Sequence, residues 1–203
     1  MSARVLFVEC GDSFTFNVLD ALPVPRSSVV MRDAASAMTF LSEENPSWAV
    51  IGPGPFNPAH AGLLPVVQAL AAEGIPTLGI CLGHQAIGVH FGAPLEPVPP
   101  QHGVRCSVHF TPSRLLPHFE GSTTVMRYHS LALRDPLPRS LRVIARAEDG
   151  TIMAIEHTTL PFLGLQFHPD SFATPSGEAI IRDFVRAAVA PSSETAETVE
   201  TAS

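Results

Sequence analysis

The chain has 203 residues, 45% of them hydrophobic and 15% charged, a balance that excludes a disordered chain or a highly charged coiled coil and fits one α/β domain with a sizeable core. Its formal net charge is −7, with twelve Arg and no Lys, so neither nucleic acid nor a membrane surface is expected as a partner. Three cysteines without framework spacing, Cys10, Cys81 and Cys106, point to a reducing, cytoplasmic compartment. The opening residues are too short an apolar run for a signal segment, and no apolar run reaches the length of a membrane span.

Val5 to Val8 is a continuous apolar run that reads as a strand buried on both faces of a parallel sheet. Asp12-Ser13 then reads as a helix N-cap, with Phe14, Val18, Leu19 and Leu22 following at helical spacing. Ser28 to Met31 and Trp48 to Ile51 repeat the buried-strand pattern, with a helix over Ala34 to Leu41 between them. Three prolines between Gly52 and Pro58 demand a shaped loop. Leu63 to Ala71 is a helical stripe, and Pro76 to Ile80 is a further buried strand running into Cys81. This alternation predicts an open, mostly parallel sheet flanked by helices. From about Gly92 the texture changes to an additional antiparallel or mixed β segment: Gly103 to Phe110, Thr123 to Arg127, Leu141 to Arg146, Thr151 to Glu156 and Phe162 to Gln166. Ser176 to Val189 closes the domain as an amphipathic helix with Ala179, Ile180, Phe184 and Val185 on one face. One domain over 1–190 and a disordered acidic tail over 191–203 are predicted.

The strongest chemical signal is Gly79-Ile80-Cys81-Leu82-Gly83-His84-Gln85, placed where a buried strand meets a helical pattern. It has the form of a nucleophile elbow carrying Cys. Such a turn strains the nucleophile's backbone, needs flanking glycines for close approach, and aims the sulfur at a helix N-terminus that favours thiolate. An inert core cysteine beside a Gly-rich turn has the same local pattern. Far downstream, Leu163 to Ser171 places His168 after an apolar strand, with Pro169 and Asp170 behind it, so a base and its orienter could both lie there. Taken alone, His168 reads equally as a solvent-capped strand end and Asp170 as a turn former. His84 and His90 are six apart and neither Cys10 nor Cys106 has a CxxC partner, so no metal or other cofactor is expected. Arg114, Arg127, Arg134 and Arg139 are scattered and are expected to be solvated or partner-facing, and His129 to make a structural hydrogen bond.

Four separated segments carry a resemblance. Val8 to Asn17 is similar to the D-N-Y-D-S-F-T-x-N opening, Ile51-Gly-Pro-Gly-Pro-Phe56 to the S-P-G-P-G oxyanion loop, Arg127-Tyr-His-Ser-Leu131 to R-Y-H-S-L, and Asp149 to Met153 to D-G-T-I-M. These are the motifs of class I (triad) glutamine amidotransferases, more narrowly of the glutaminase subunits of anthranilate synthase and aminodeoxychorismate synthase. The resemblance runs from about Arg4 to Val189. It implies a flavodoxin-like α/β fold, L-glutamine as substrate, and a chorismate-binding synthase subunit as the partner that receives ammonia. By position it implies Cys81 as nucleophile, His168 as base and Asp170 as orienter. Oxyanion donors would come from the backbone N–H groups of Gly54 and Leu82, while Gln85, Ser130 and Leu131 would hold the amino-acid end of the substrate.

The chain departs from the pattern in three places. Asp170 replaces the family's usual Glu, shortening the reach by about 1.5 Å. Phe56 stands where Gly is usual, and its ring either points to solvent or a partner or fills the glutamine pocket. Glu9-Cys10-Gly11 departs from D-N-Y. Besides the glutaminase subunit, the sequence admits a weak or inactive binding subunit of the same fold. A stand-alone cysteine hydrolase is a third reading, which leaves the Asp12–Thr15 and Tyr128–Ser130 matches unexplained.

Overall fold

The computed structural model describes residues 4–189; the tail expected over 191–203 lies outside the described residues. The first half alternates strand and helix: β1 (Val5–Val8), α1 (Thr15–Ala21), β2 (Val29–Arg32), α2 (Ala34–Glu43), β3 (Trp48–Ile51), α3 (Leu63–Ala72), β4 (Thr77–Ile80) and α4 (Leu82–His90). Then come β5 (Leu95–Pro97), β6 (Val104–Phe110), β7 (Gly121–Arg127), β8 (Leu131–Leu133), β9 (Leu141–Ala147), β10 (Ile152–His157), β11 (Phe162–Leu165) and α5 (Gly177–Ala188).

Nine strands form one sheet in the order β2-β1-β3-β4-β11-β10-β9-β6-β7. The first five are mutually parallel and the remaining pairs antiparallel. The antiparallel segment therefore continues the parallel sheet through β11, which returns beside β4 with Leu165 paired to Ile80. The short β5–β8 pair, which has no alternating apolar pattern to announce it, makes a separate ribbon.

Side-chain alternation along the central strands sorts the helices into two layers. Val5, Phe7, Trp48, Val50, Leu78 and Ile80 meet Val18 and Leu19 of α1 and Ile180, Ile181 and Phe184 of α5. Leu6, Val8, Ala49 and Ile51 meet Phe40 of α2, Val67 and Leu70 of α3, and Leu82 and Ile87 of α4. Both faces of β1, β3 and β4 are buried, which is why these strands read as unbroken apolar runs.

Three local expectations are corrected. β2 is an edge strand and only partly buried: Val29 and Met31 pack on one core and Val30 on the other, so its apolar run reflects two faces each partly covered. Asp12 does not cap α1. Phe14 occupies the N-cap, without a side-chain bond, while Asp12 Oδ1 accepts from the Phe14 N–H at 2.7 Å in a tight turn of its own. On α5 the buried face is Ile180, Ile181 and Phe184, with Asp183 beside them; Ala179 is exposed, one helical position off the face assigned from spacing.

The contact between α4 and the strand ends leaves no room for side chains. A Cβ on Gly83 would lie 2.2 Å from the Ile51 carbonyl oxygen, and one on Gly79 would lie 2.5 Å from the Gly83 carbonyl carbon. Replacing Gly83 by Ala must push α4 off the sheet and should cost about 3 kcal/mol or more. Gly74→Ala, at φ +63° with nothing within 4 Å, should cost about 1–2 kcal/mol, from backbone strain alone. Urea unfolding of the two variants checks this ordering.

Candidate active site

The loops leaving the C-terminal ends of β1, β3, β4 and β11 converge at one edge of the parallel sheet, where open α/β sheets place their ligand sites. Cys81 sits in the single-residue turn between β4 and α4. Its φ of 52° and ψ of −98° make it the sole non-glycine at positive φ among the described residues. Backbone in such a region costs of order 1–3 kcal/mol and persists because the surroundings enforce it. Here the enforcement is the Gly79–Gly83 contact below the turn and the Cys81 N–H bond to the Leu165 carbonyl, 2.8 Å. The sulfur is thereby carried to the first turn of α4, whose leading N–H groups have no partners within the helix.

Because β11 runs parallel beside β4, the residues that follow each strand are neighbours. Gln166 is wholly buried and its Nε2 lies 3.7 Å from Cys81 Sγ. Two residues on, His168 is also buried, held by its N–H bond to the Met126 carbonyl (3.1 Å) and by the Thr174 hydroxyl on its carbonyl (2.8 Å). Its Nδ1 stands 3.4 Å from Asp170 Oδ1, with both side chains almost completely shielded. Burial pulls the imidazole pKa down, but Asp170 and the Cys81 sulfur outweigh it and raise the value to about 10. Cys81, His168 and Asp170 are thus brought together.

In front of the sulfur is a cavity of about 150 Å³ lined by Gly54, Phe56, Gln85, Tyr128, Ser130 and Leu131, among others. Gly54 lies in it because the loop after β3 presses on Cys10 and Leu82; a Cβ there would be 2.7 Å from Leu82 Cδ2. Leu82 begins α4 behind the same wall. Phe56 does not fill the cavity. Phe56 is 57% exposed and its ring lies 3.8 Å from the point where a Cβ on Gly11 would be, so an aromatic ring from the β3 loop covers the spot left bare at residue 11. A wider groove of about 600 Å³ between α1 and α5 has Asp170 and Phe172 in its wall, but neither the sulfur nor Gln85 faces it.

One hydrogen-bonded chain ties the cavity to the hairpin between β9 and β10. Arg127, expected on the surface, is buried: its guanidinium donates to Asp149 (2.7 Å), to the Thr151 hydroxyl (3.2 Å) and to His129 Nε2 (3.1 Å). That last bond makes Nε2 the acceptor, so Nδ1–H donates to the Leu131 carbonyl at 2.9 Å. Gln85 Nε2 reaches the same carbonyl at 3.0 Å and Gln166 Oε1 at 3.2 Å. Burial first, then the Arg127 charge, push the His129 pKa down to about 4. For Asp149, burial works upward but the bonds from Arg127 and Thr151 win and hold it at about 2. Spacing gave no sign that Arg127 is internal. Gln166 did leave a signal, as the one polar side chain ending the apolar run from Phe162.

A strained cysteine, a buried imidazole, a carboxylate and an amide-lined cavity at the edge of a flavodoxin-like sheet form an arrangement chemically able to carry out cysteine-dependent acyl transfer. The glutamine amidotransferase class-I family model matches residues 6–188, and the chain belongs to that family. It is 40% identical over 194 residues to anthranilate synthase component 2 of Mycobacterium tuberculosis (strain ATCC 25618 / H37Rv), covering 90% of this chain and 81% of the relative. It is 33% identical over 185 residues to aminodeoxychorismate/anthranilate synthase component 2 of Bacillus subtilis (strain 168), covering 89% and 95%. Among solved structures, a glutamine amidotransferase from Thermotoga maritima shares the fold with a TM-score of 0.66 at 18% identity, covering 92% of this chain and 82% of that one.

The two histidine shifts act on stability in opposite directions. The unfolded chain takes up a proton near 6.5 that folded His129 refuses until about 4, so lowering the pH through that window favours unfolding. Folded His168 keeps until about 10 a proton that the unfolded chain releases near 6.5, so its contribution is full below 6.5 and lost as the pH rises towards 10. Thermal melts should therefore show a maximum near pH 6.5, with the alkaline limb flattened in His168→Asn and the acid limb shallower in His129→Asn.

Proposed function

We propose that the chain is the glutaminase subunit of a chorismate-using synthase of the anthranilate or aminodeoxychorismate type. It hydrolyses L-glutamine through a thioester on Cys81 and hands the ammonia to the synthase subunit. The observation that carries the reading is the cavity itself: a small space whose wall holds the elbow sulfur together with Gln85, Ser130 and Leu131.

In this reading Cys81 Sγ attacks the carboxamide carbon of glutamine, with the thiol proton held on His168. The oxyanion that forms is met by the backbone N–H groups of Gly54 and Leu82, a contribution of about 3–4 kcal/mol per donor in sites of this kind. The C–N bond breaks as the imidazolium of His168 gives its proton to the departing nitrogen, releasing ammonia and leaving the glutamyl thioester. Water then attacks the thioester carbon while His168 takes its proton. The C–S bond breaks, the sulfur regains a proton, and glutamate leaves. Asp170 orients the imidazole, and the Leu131 carbonyl, held by Gln85 and His129, is fixed to receive the α-ammonium group of the substrate.

Ammonia set free in neutral water is protonated and no longer nucleophilic, which favours direct transfer across an interface that excludes water. Relatives named as component 2 of anthranilate or aminodeoxychorismate synthases match about nine-tenths of this chain, which supports a synthase partner as the acceptor. Phe56 in the cavity wall is an exposed aromatic on the path such a partner would cover. The three free thiols support a cytoplasmic location; no helix among the described residues is long and apolar enough to cross a membrane.

Purified chain should release glutamate from glutamine, faster when a chorismate-using synthase subunit is added. Cys81→Ser should lower turnover by about 10³-fold or more and abolish labelling by a glutamine-analogue alkylator. Silence of the wild-type chain with and without such a subunit, with Cys81 unlabelled, would favour the binding-subunit reading instead.

A further inference from the structure

We propose that Phe14 is a positioning residue for the imidazole of His168, doing with its ring what Asp170 does only loosely; the inference rests on the glutaminase reading and deepens it. At 3.4 Å, His168 Nδ1 and Asp170 Oδ1 attract each other electrostatically. Yet neither His168 Nδ1 nor either carboxylate oxygen of Asp170 makes a hydrogen bond, although all three atoms are buried. A contact of that length, without hydrogen-bond alignment, places charge beside the ring but sets its rotation weakly.

Two aromatic rings supply the missing constraint. Phe14 meets His168 at a centroid separation of 5.5 Å and an interplanar angle of 69°, and Tyr128 meets it at 5.0 Å and 77°. They also touch each other, with centroids 5.2 Å apart. The three centroids form a near-equilateral triangle, so Phe14 and Tyr128 pack together against one side of the imidazole as edge-to-face partners, an arrangement whose energy depends on ring orientation and which also suits a cationic ring. Phe14 is itself pinned: its N–H is bonded to Asp12 Oδ1 at 2.7 Å and its carbonyl accepts from the Val18 N–H at 3.1 Å as α1 begins. Tyr128 lines the substrate cavity, whereas Phe14 is absent from its wall. Phe14 therefore acts on the reaction through His168 and not through substrate binding.

The test is a double-mutant cycle between Phe14→Leu and Asp170→Glu in the full chain, with glutamine turnover as one readout and the ring ¹⁵N resonances of His168 as a second that needs no turnover. Phe14→Leu should lower kcat about three- to tenfold with KM unchanged, and should broaden the His168 ring signals through exchange between orientations. Asp170→Glu adds about 1.5 Å of reach, enough to close a true hydrogen bond, and in that background the loss from Phe14→Leu should shrink below about twofold and the signals should sharpen. Equal losses in both backgrounds, or a change in KM without one in kcat, would overturn the proposal. So would unchanged His168 signals in Phe14→Leu. Should Phe14→Leu unfold, Phe14→Met, unbranched and similar in volume, takes its place. A wild-type chain that does not hydrolyse glutamine would count against the glutaminase reading, while the ring resonances would still decide the role of Phe14.

Discussion

Gly83 lies so close to the end of β3 that a methyl group there would overlap the Ile51 carbonyl, and Gly79 lies as close to Gly83. This backbone-on-backbone contact governs the site. It brings the first turn of α4 down onto the sheet, leaves one residue to make the turn, and forces that residue, Cys81, to positive φ. The sulfur therefore emerges at a helix N-terminus with its direction fixed before any substrate arrives. The strain is sustained by burial of β3 and β4 on both faces, which leaves the strand ends no freedom to retreat.

The second constraint is the return of β11 beside β4. Parallel pairing in register places Leu165 next to Ile80, so the chain leaving β11 passes the elbow as Gln166 and then His168. Around this pair the polar groups are arranged by burial. Asp149 holds the Arg127 guanidinium in place, Arg127 fixes the tautomer of His129, and His129 with Gln85 fixes the Leu131 carbonyl in the cavity wall. One rigid network thereby joins the neighbourhood of the sulfur to the Leu131 carbonyl in the cavity wall. Such preorganisation lets hydrogen bonds act on a developing charge without first reorganising.

The departures from the family pattern have structural counterparts. The ring at Phe56 covers the space beside Gly11 and leaves the cavity open, so the glycine at one position and the aromatic at the other are read together. Asp170 in place of a longer acid leaves the contact with His168 at 3.4 Å, and aromatic rings from two other segments pack together against one side of the imidazole.

Much of this was legible in the residue order. The apolar runs of β1, β3 and β4 marked strands covered on both faces, because a strand with two buried faces cannot alternate; the Gly-x-Cys-x-Gly spacing marked the elbow, because only glycine permits that approach. Cys81, His168 and Asp170 could be named as candidates, and of the cavity wall the family resemblance pointed to Gly54, Gln85, Ser130 and Leu131 but not to Asn57 or His129. The partial exposure of β2 was not legible, since an edge strand and a central one can share a composition. Nor was the burial of Arg127, since a charge goes inside only when distant groups satisfy it. The packing of Phe14 and Tyr128 against one side of His168 was hidden too, because it joins segments far apart in the chain. Local pattern reports what each segment must bury or bend around, whereas distances between segments more than a hundred residues apart follow from sheet order and packing, which no single stretch of chain encodes.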